Sequence, residues 1–333
     1  MTPGRRTALR LALVAPALVA GGAAGGAAGE QLARWSGRPP APAGSTTVDV
    51  GTAVLHLVRR PGSGPTVVLE AGSGETSASF ARVLQHWDLP AAVVAADRAG
   101  YGRSGPSTLP RTGAAVVREL REALRRSGSE PPYVLVGHSM GGLFVREFAL
   151  EHPGEVAGLV LVDARPEDDA RRTADLLRTA GVPAQPSWQL LALLARTGVL
   201  RTLAPTLLGA AVPVEARAEF LDVTATGACF RAREQEAAAV GATEDRVRGQ
   251  VLGDLPVAVV ARGLAQDYAA AGIDAGTGRR LEEVWQDGQR RLLDLSTRTR
   301  FRVAAGSGHL VPREQPAAVL DAVRWVLAQI GRG

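Results

Sequence analysis

The stretch Tyr133-Val134-Leu135-Val136-Gly137-His138-Ser139-Met140-Gly141-Gly142 decides the reading of this chain. A β-branched run, Tyr133–Val136, stops at a glycine, and a helical pattern begins near Met140 and extends to Glu151. G-x-S-x-G alone is a weak signal in a glycine-rich chain, but strand, sharp turn and helix around it give it meaning. Such a turn forces the serine into strained backbone angles, and the flanking glycines let strand and helix approach closely. Ser139 is therefore the candidate nucleophile. A serine hydroxyl attacks poorly by itself, so a general base must be found elsewhere.

Working outward, short β-branched runs alternate with longer helical patterns, the mark of an α/β sheet protein. Strands are expected at Thr47–Val50, Ala53–Val58, Thr66–Glu70, Ala92–Ala96, Tyr133–Val136, Leu159–Val162, Val257–Ala261 and Phe301–Ala304. Helices are expected at Ser77–Trp87, Thr112–Ser127, Met140–Glu151, Arg280–Leu295 and Glu314–Ile330. The last places Val319, Val323, Val326 and Leu327 on one face. About 90 residues separate the sixth and seventh strands, far more than an ordinary crossover. Three helical stretches fill them: Ala170–Gly181, the strongly apolar Trp188–Leu208, and Val214–Ala239. An insertion there falls at the carboxyl ends of the strands, where ligands bind, so a helical lid over residues 164–255 is expected.

Of five histidines, His309 has the best placement for the base. It lies in Gly306-Ser307-Gly308-His309, after the last strand and before the final helix, last in the order Ser, acid, His. His56, His86, His138 and His152 read as structural or surface residues. Two carboxylates compete to orient the imidazole. Asp163 ends the sixth strand, and Asp267 lies a few residues past the seventh; Asp163 is preferred and Asp267 stays as the alternative. Backbone N–H groups should receive the oxyanion. Met140 supplies one by position, and Ser73, in the loop Ala71-Gly72-Ser73-Gly74-Glu75, is the choice for the other.

The segments Ala71–Gly74, Asp97-Arg98-Ala99-Gly100-Tyr101-Gly102-Arg103-Ser104, the Ser139 turn and Gly306–His309 resemble the α/β-hydrolase superfamily in content and order, over about residues 47–330. The closest look is to its esterase, lipase and perhydrolase-like branch. The resemblance implies an α/β fold with a mostly parallel eight-stranded sheet flanked by helices. Asp97 and Arg98 read as a structural ion pair. The usual His-Gly ahead of the oxyanion loop is Ala71-Gly72 here, and the loop after Ala261 lacks a compact Gly-x-x-Asp.

Composition narrows the remaining choices. With 46% hydrophobic and 21% charged residues the chain has ample material for a core. The net charge of +5 is carried wholly by arginine, and three of those, Arg5, Arg6 and Arg10, lie in the first thirty residues. The remainder is close to neutral, which argues against a nucleic-acid partner. Cys229 is the only cysteine, so an intrachain disulfide and a cysteine-rich zinc site are excluded. No motif calls for a metal or cofactor. The basic start, the apolar run Ala8–Ala20 and the Gly/Ala tract to Gly29 form an export signal over residues 1–30, or an uncleaved membrane anchor. Residues 31–45 read as a Pro/Gly-rich linker and 46–333 as the hydrolase domain. The expectation is a secreted or envelope enzyme cleaving a small, moderately apolar carboxylic ester. Acyl transfer, amide hydrolysis, cofactor-free perhydrolysis and non-catalytic binding on the same scaffold are the alternatives.

Overall fold

The computed structural model describes residues 25–33, 40–180, 187–208 and 220–330. Most of the leader, part of the linker and residues 209–219 of the interval after the sixth strand therefore lie outside the described residues.

Eight strands form one sheet: β1 (Ser45–Asp49), β2 (Val54–Arg60), β3 (Thr66–Glu70), β4 (Val93–Asp97), β5 (Tyr133–His138), β6 (Val156–Val162), β7 (Val257–Arg262) and β8 (Thr299–Ala304). Their order is β1-β2-β4-β3-β5-β6-β7-β8. The two leading strands pair antiparallel with each other, and β2 pairs antiparallel with β4; every pairing from β4 to β8 is parallel. Parallel strands covered on both faces read as continuous apolar runs, as β3 (TVVLE) and β6 (VAGLVLV) do.

Alternate strand residues point to opposite faces and build two cores. Leu135, Leu159 and Leu161 face one side with Val117, Leu120, Val145 and Phe148. Val134, Val136, Val160 and Val162 face the other with Val83, Val319, Val323 and Val326. Among the described residues the helices are α1 (residues 25–33), α2 (Ala81–Gln85), α3 (Gly113–Arg126), α4 (Gly141–Glu151), α5 (Asp169–Thr179), α6 (Trp188–Arg196), α7 (Val199–Leu208), α8 (Gly227–Val247), α9 (Ala275–Arg291), α10 (Val311–Glu314) and α11 (Pro316–Ile330).

By their contacts the residues form two compact units. The larger holds the sheet, α5 and α8 from Ala232 onward; the smaller holds α1, α6, α7 and the chain up to Arg231. In the smaller unit Ala192, Ala195, Leu200, Leu221 and Phe230 pack together, Trp188 stacks on Phe230, and Arg201 pairs with Glu30 at 2.9 Å. The stretch expected as one helix, Trp188–Leu208, breaks at Gly198, whose φ of +75° a side chain would disfavour. Helix α9 starts earlier than expected. Asp274 caps it, accepting from the N–H groups of Gly276 and Thr277 at 2.9 and 3.0 Å, which overrides the low helix propensity of Gly276 and Gly278.

Candidate active site

The site is built at the carboxyl ends of β3, β5, β6, β7 and β8, all in the larger unit. At the end of β5, Ser139 has φ +52°. A non-glycine residue pays for that conformation, so the surroundings must hold it there. Its N–H donates to Val162 O at 3.1 Å, and its carbonyl accepts from Gly142 N at 3.0 Å and Arg165 N at 2.9 Å. The neighbouring glycines are steric necessities. A Cβ on Gly141 would sit 2.3 Å from Glu70 O, and one on Gly142 would sit 2.4 Å from Ala164 Cβ. The same packing places the N-terminus of α4 directly behind the serine, where its dipole favours negative charge.

His309 follows β8, and its loop is tied down by Glu314, whose Oε2 accepts from Gly308 N at 2.7 Å and Ser307 Oγ at 2.9 Å. Its Nε2 lies 2.9 Å from Ser139 Oγ, and its Nδ1 lies 2.6 Å from Asp163 Oδ2. Asp163 ends β6 with φ +38° and is fully buried; its N–H donates to Val260 O at 2.7 Å. Asp267, the alternative acid, is exposed and accepts from Ala270 N at 3.1 Å in a loop turn, with no bond to His309. Of the two carboxylates, the structure brings only Asp163 to the imidazole.

Asp163 is itself held by groups that sequence inspection did not single out. Arg262 donates to it twice, from Nη1 to Oδ2 at 3.0 Å and from its backbone N to Oδ1 at 3.2 Å. Trp285 Nε1 donates to Oδ1 at 2.9 Å. Arg262 is shared with Glu282 at 2.6 Å, its guanidinium lies over the Trp285 ring, and that ring meets His309 edge-on. Burial pushes the Asp163 carboxyl up, but the bonds from His309 and the charge of Arg262 outweigh it and hold the group below the ordinary carboxylate range. These partners are about 100 residues or more from Asp163 in sequence, and no local pattern announces them.

The loop after β3 closes the site opposite His309. A Cβ on Gly72 would lie 3.1 Å from Ser139 Cβ, so backbone and nucleophile are nearly in contact. The N–H groups of Ser73 and Met140 have no hydrogen-bond partner among the described residues. Arg98 fixes this loop from behind: its guanidinium donates to Ala71 O at 2.6 Å and Gly72 O at 2.8 Å, and pairs with Glu70 and Glu236. The two carbonyls are thus turned to a guanidinium, and the Gly72 N–H is held by Glu75 Oε2 at 3.2 Å, which leaves the Ser73 N–H as the loop's candidate donor.

The expected Asp97–Arg98 pair is corrected here. Asp97 accepts from Ser77 N at 2.7 Å and Arg103 N at 3.0 Å and lies 2.9 Å from His56 Nδ1. Adjacent residues at a strand end point to opposite faces, so the two charges find partners on opposite sides. His138, expected to be structural or at the surface, is buried against Glu75 and the His309 loop.

A family model described as alpha/beta hydrolase fold matches residues 65–190. The chain is 34% identical over 118 residues to the uncharacterized protein YqjL of Bacillus subtilis, covering 35% of this chain and 47% of that one. It is 38% identical over 125 residues to Lipase LipV of Mycobacterium tuberculosis, covering 37% and 46%. The matched stretch thus spans about half of each of these curated relatives. Among solved structures, the Nostoc sp PCC 7120 protein ALR0039 superposes with a TM-score of 0.64 at 22% identity, covering 85% of this chain and 97% of that one. With the eight-stranded sheet, the serine turn after β5 and these likenesses together, the chain has the α/β-hydrolase fold.

Proposed function

We propose that the protein is a serine hydrolase that cleaves a carboxylic ester through an acyl-enzyme intermediate. The observation that carries this reading is the continuous path from Ser139 Oγ to His309 Nε2 at 2.9 Å and from His309 Nδ1 to Asp163 at 2.6 Å. Ser139 attacks the carbonyl while His309 takes its proton, and Asp163 orients and stabilises the resulting imidazolium. The Ser73 and Met140 N–H groups donate to the oxyanion. His309 then returns its proton to the leaving alkoxide, and afterwards takes one from the water that releases the acid.

Chemistry separates this reading from ring opening of an epoxide or displacement of a halide, both reactions at saturated carbon. Attack there by a serine would leave an ether, which offers no carbonyl for water to attack; a carboxylate nucleophile would leave a hydrolysable ester. With Ser139 at the turn, acyl chemistry is the coherent reaction. The substrate class we propose is a small, moderately apolar carboxylic ester. The basic and apolar leader supports export, or anchoring if it is not removed; no described helix is long and apolar enough to cross a membrane.

The test is labelling by a fluorophosphonate probe, comparing the parent with Ser139→Ala and His309→Ala, beside a p-nitrophenyl ester series of increasing chain length. Labelling and turnover that vanish in both variants are expected. A folded parent that neither labels nor turns over any ester overturns the assignment.

A further inference from the structure

Beside the Asp163–His309 pair lies a second carboxylate–imidazole pair that the reaction as described does not use. His138, the residue before the nucleophile, is 1% exposed. Its Nδ1 lies 2.7 Å from Glu75 Oε2, and its Nε2 lies 2.8 Å from the backbone carbonyl of His309. The two imidazole rings are 4.9 Å apart, centroid to centroid. Glu75 also accepts from the N–H of Gly72 at 3.2 Å. This pair therefore ties together three segments: the oxyanion loop, the nucleophile turn and the loop that carries the base.

The protonation of His138 follows from its partners. A neutral imidazole has one N–H donor and one acceptor nitrogen. A backbone carbonyl can only accept, and an ionised carboxylate can only accept. Both bonds can exist together only if both ring nitrogens carry protons. We propose that His138 is an imidazolium in the working protein and a positioning residue for the reaction, holding the His309 loop and the oxyanion loop in register through Glu75. Loss of its proton at alkaline pH removes one of the two bonds and lowers turnover.

The charges around it are consistent with this state. Facing His138 are Glu75 from the loop after β3, Asp163 from the end of β6, His309 itself, and Arg313 from α10, which approaches Glu75 at 3.9 Å. Burial acts against a charge on His138, but the Glu75 carboxylate and the His309 carbonyl outweigh it and raise the imidazole above its usual value. For Glu75, burial acts upward and is outweighed by the bond from His138, with Arg313 adding to it, which takes the carboxyl to about 2. The carboxylate is thus ionised wherever the imidazolium needs it. A neutral His138 could keep Glu75 or the His309 carbonyl, but not both.

The kinetic arm rests on the serine-hydrolase reading; the spectroscopic arm does not. In Ser139→Ala protein with 15N-labelled histidine, the His138 ring, identified by the resonance lost in His138→Gln, should show two protonated nitrogens at pH 7. It should titrate above the ordinary histidine range. Glu75→Gln should bring that titration down by at least one pH unit. In the active parent, kcat should fall along an alkaline limb that tracks the same titration. Glu75→Gln should move this limb down by the same amount, with KM changed less than about threefold. His138→Gln should abolish the limb and lower kcat by about ten- to a hundredfold, the loss expected from small misplacement of reacting groups. A purely structural pair would lower activity equally at every pH and leave the limb where it was. A neutral His138 at pH 7, or a limb unmoved in Glu75→Gln, overturns the proposal. If the parent turns over no ester while His138 proves doubly protonated, the hydrolase assignment fails and the charged state of the pair stands.

Discussion

Replacing Arg262 by methionine removes the guanidinium that shares Asp163 Oδ2 with the base. The bonds from Arg262 Nη1 (3.0 Å) and His309 Nδ1 (2.6 Å) meet on that oxygen, so the two nitrogens are at most about 5.6 Å apart. At an effective dielectric of about 20, a positive charge at that distance opposes charge on the imidazole by roughly 3 kcal/mol before screening. The His309 side chain is 31% exposed, and water at its edge screens part of this. The sign is fixed: taking away a cation makes the imidazolium easier to form, so the base is lost to protonation at higher pH. The acid limb of kcat/KM against pH should therefore move up in Arg262→Met. Glu282, left without its partner, pushes in the same direction. Arg262→Lys keeps the charge while losing the forked geometry, and its acid limb should stay near the parent's. The methionine variant should also lose about 3 kcal/mol of stability by denaturant titration, because one member of a buried ion pair is gone. An acid limb that is unmoved, or moves down, in a folded Arg262→Met protein with a normal lysine control would refute the electrostatic argument.

Two further outcomes are expected. Asp163→Asn should lower kcat by about a thousandfold or more, because the imidazole loses the partner that fixes its tautomer, whereas Asp267→Asn should leave steady-state kinetics within about twofold of the parent; equal effects of the two would show that the acid has been misplaced. Gly141→Ala would put a methyl group 2.3 Å from Glu70 O and 2.7 Å from Ala71 O, both backbone atoms that cannot turn aside. It should cost about 3 kcal/mol in thermal or chemical unfolding and displace the oxyanion loop, so a variant of parental stability and activity would contradict the packing described for the turn.

Much of the architecture was legible in the chain because the signals were local. The parallel strands were visible as short apolar runs, since burial on both faces removes the polar alternation. The Ser139 turn was visible because its glycines and its strand–helix context belong to ten consecutive residues. His309 was found from the small residues around it and from its place after the last strand. Helix ends were read less well. The helix expected from Arg280 starts at Ala275, capped by Asp274, and Gly198 divides the stretch Trp188–Leu208 expected as a single apolar helix.

The sequence by itself therefore determined the sheet order's raw material, the nucleophile turn and the candidate base, because each is encoded over a few neighbouring residues. Only the tertiary structure decided which carboxylate reaches His309, that Arg98 braces the oxyanion loop and pairs with Glu70 and Glu236 instead of Asp97, and that Glu75 and His138 stand beside the catalytic pair. These contacts join residues from 26 to 171 positions apart. They exist because parallel strands deliver their carboxyl ends to one edge of the sheet, where distance along the chain no longer measures distance in space. Ion-pair partners at such an edge are chosen by burial and by the direction each side chain leaves its strand, and neither is written in the identity of the next residue.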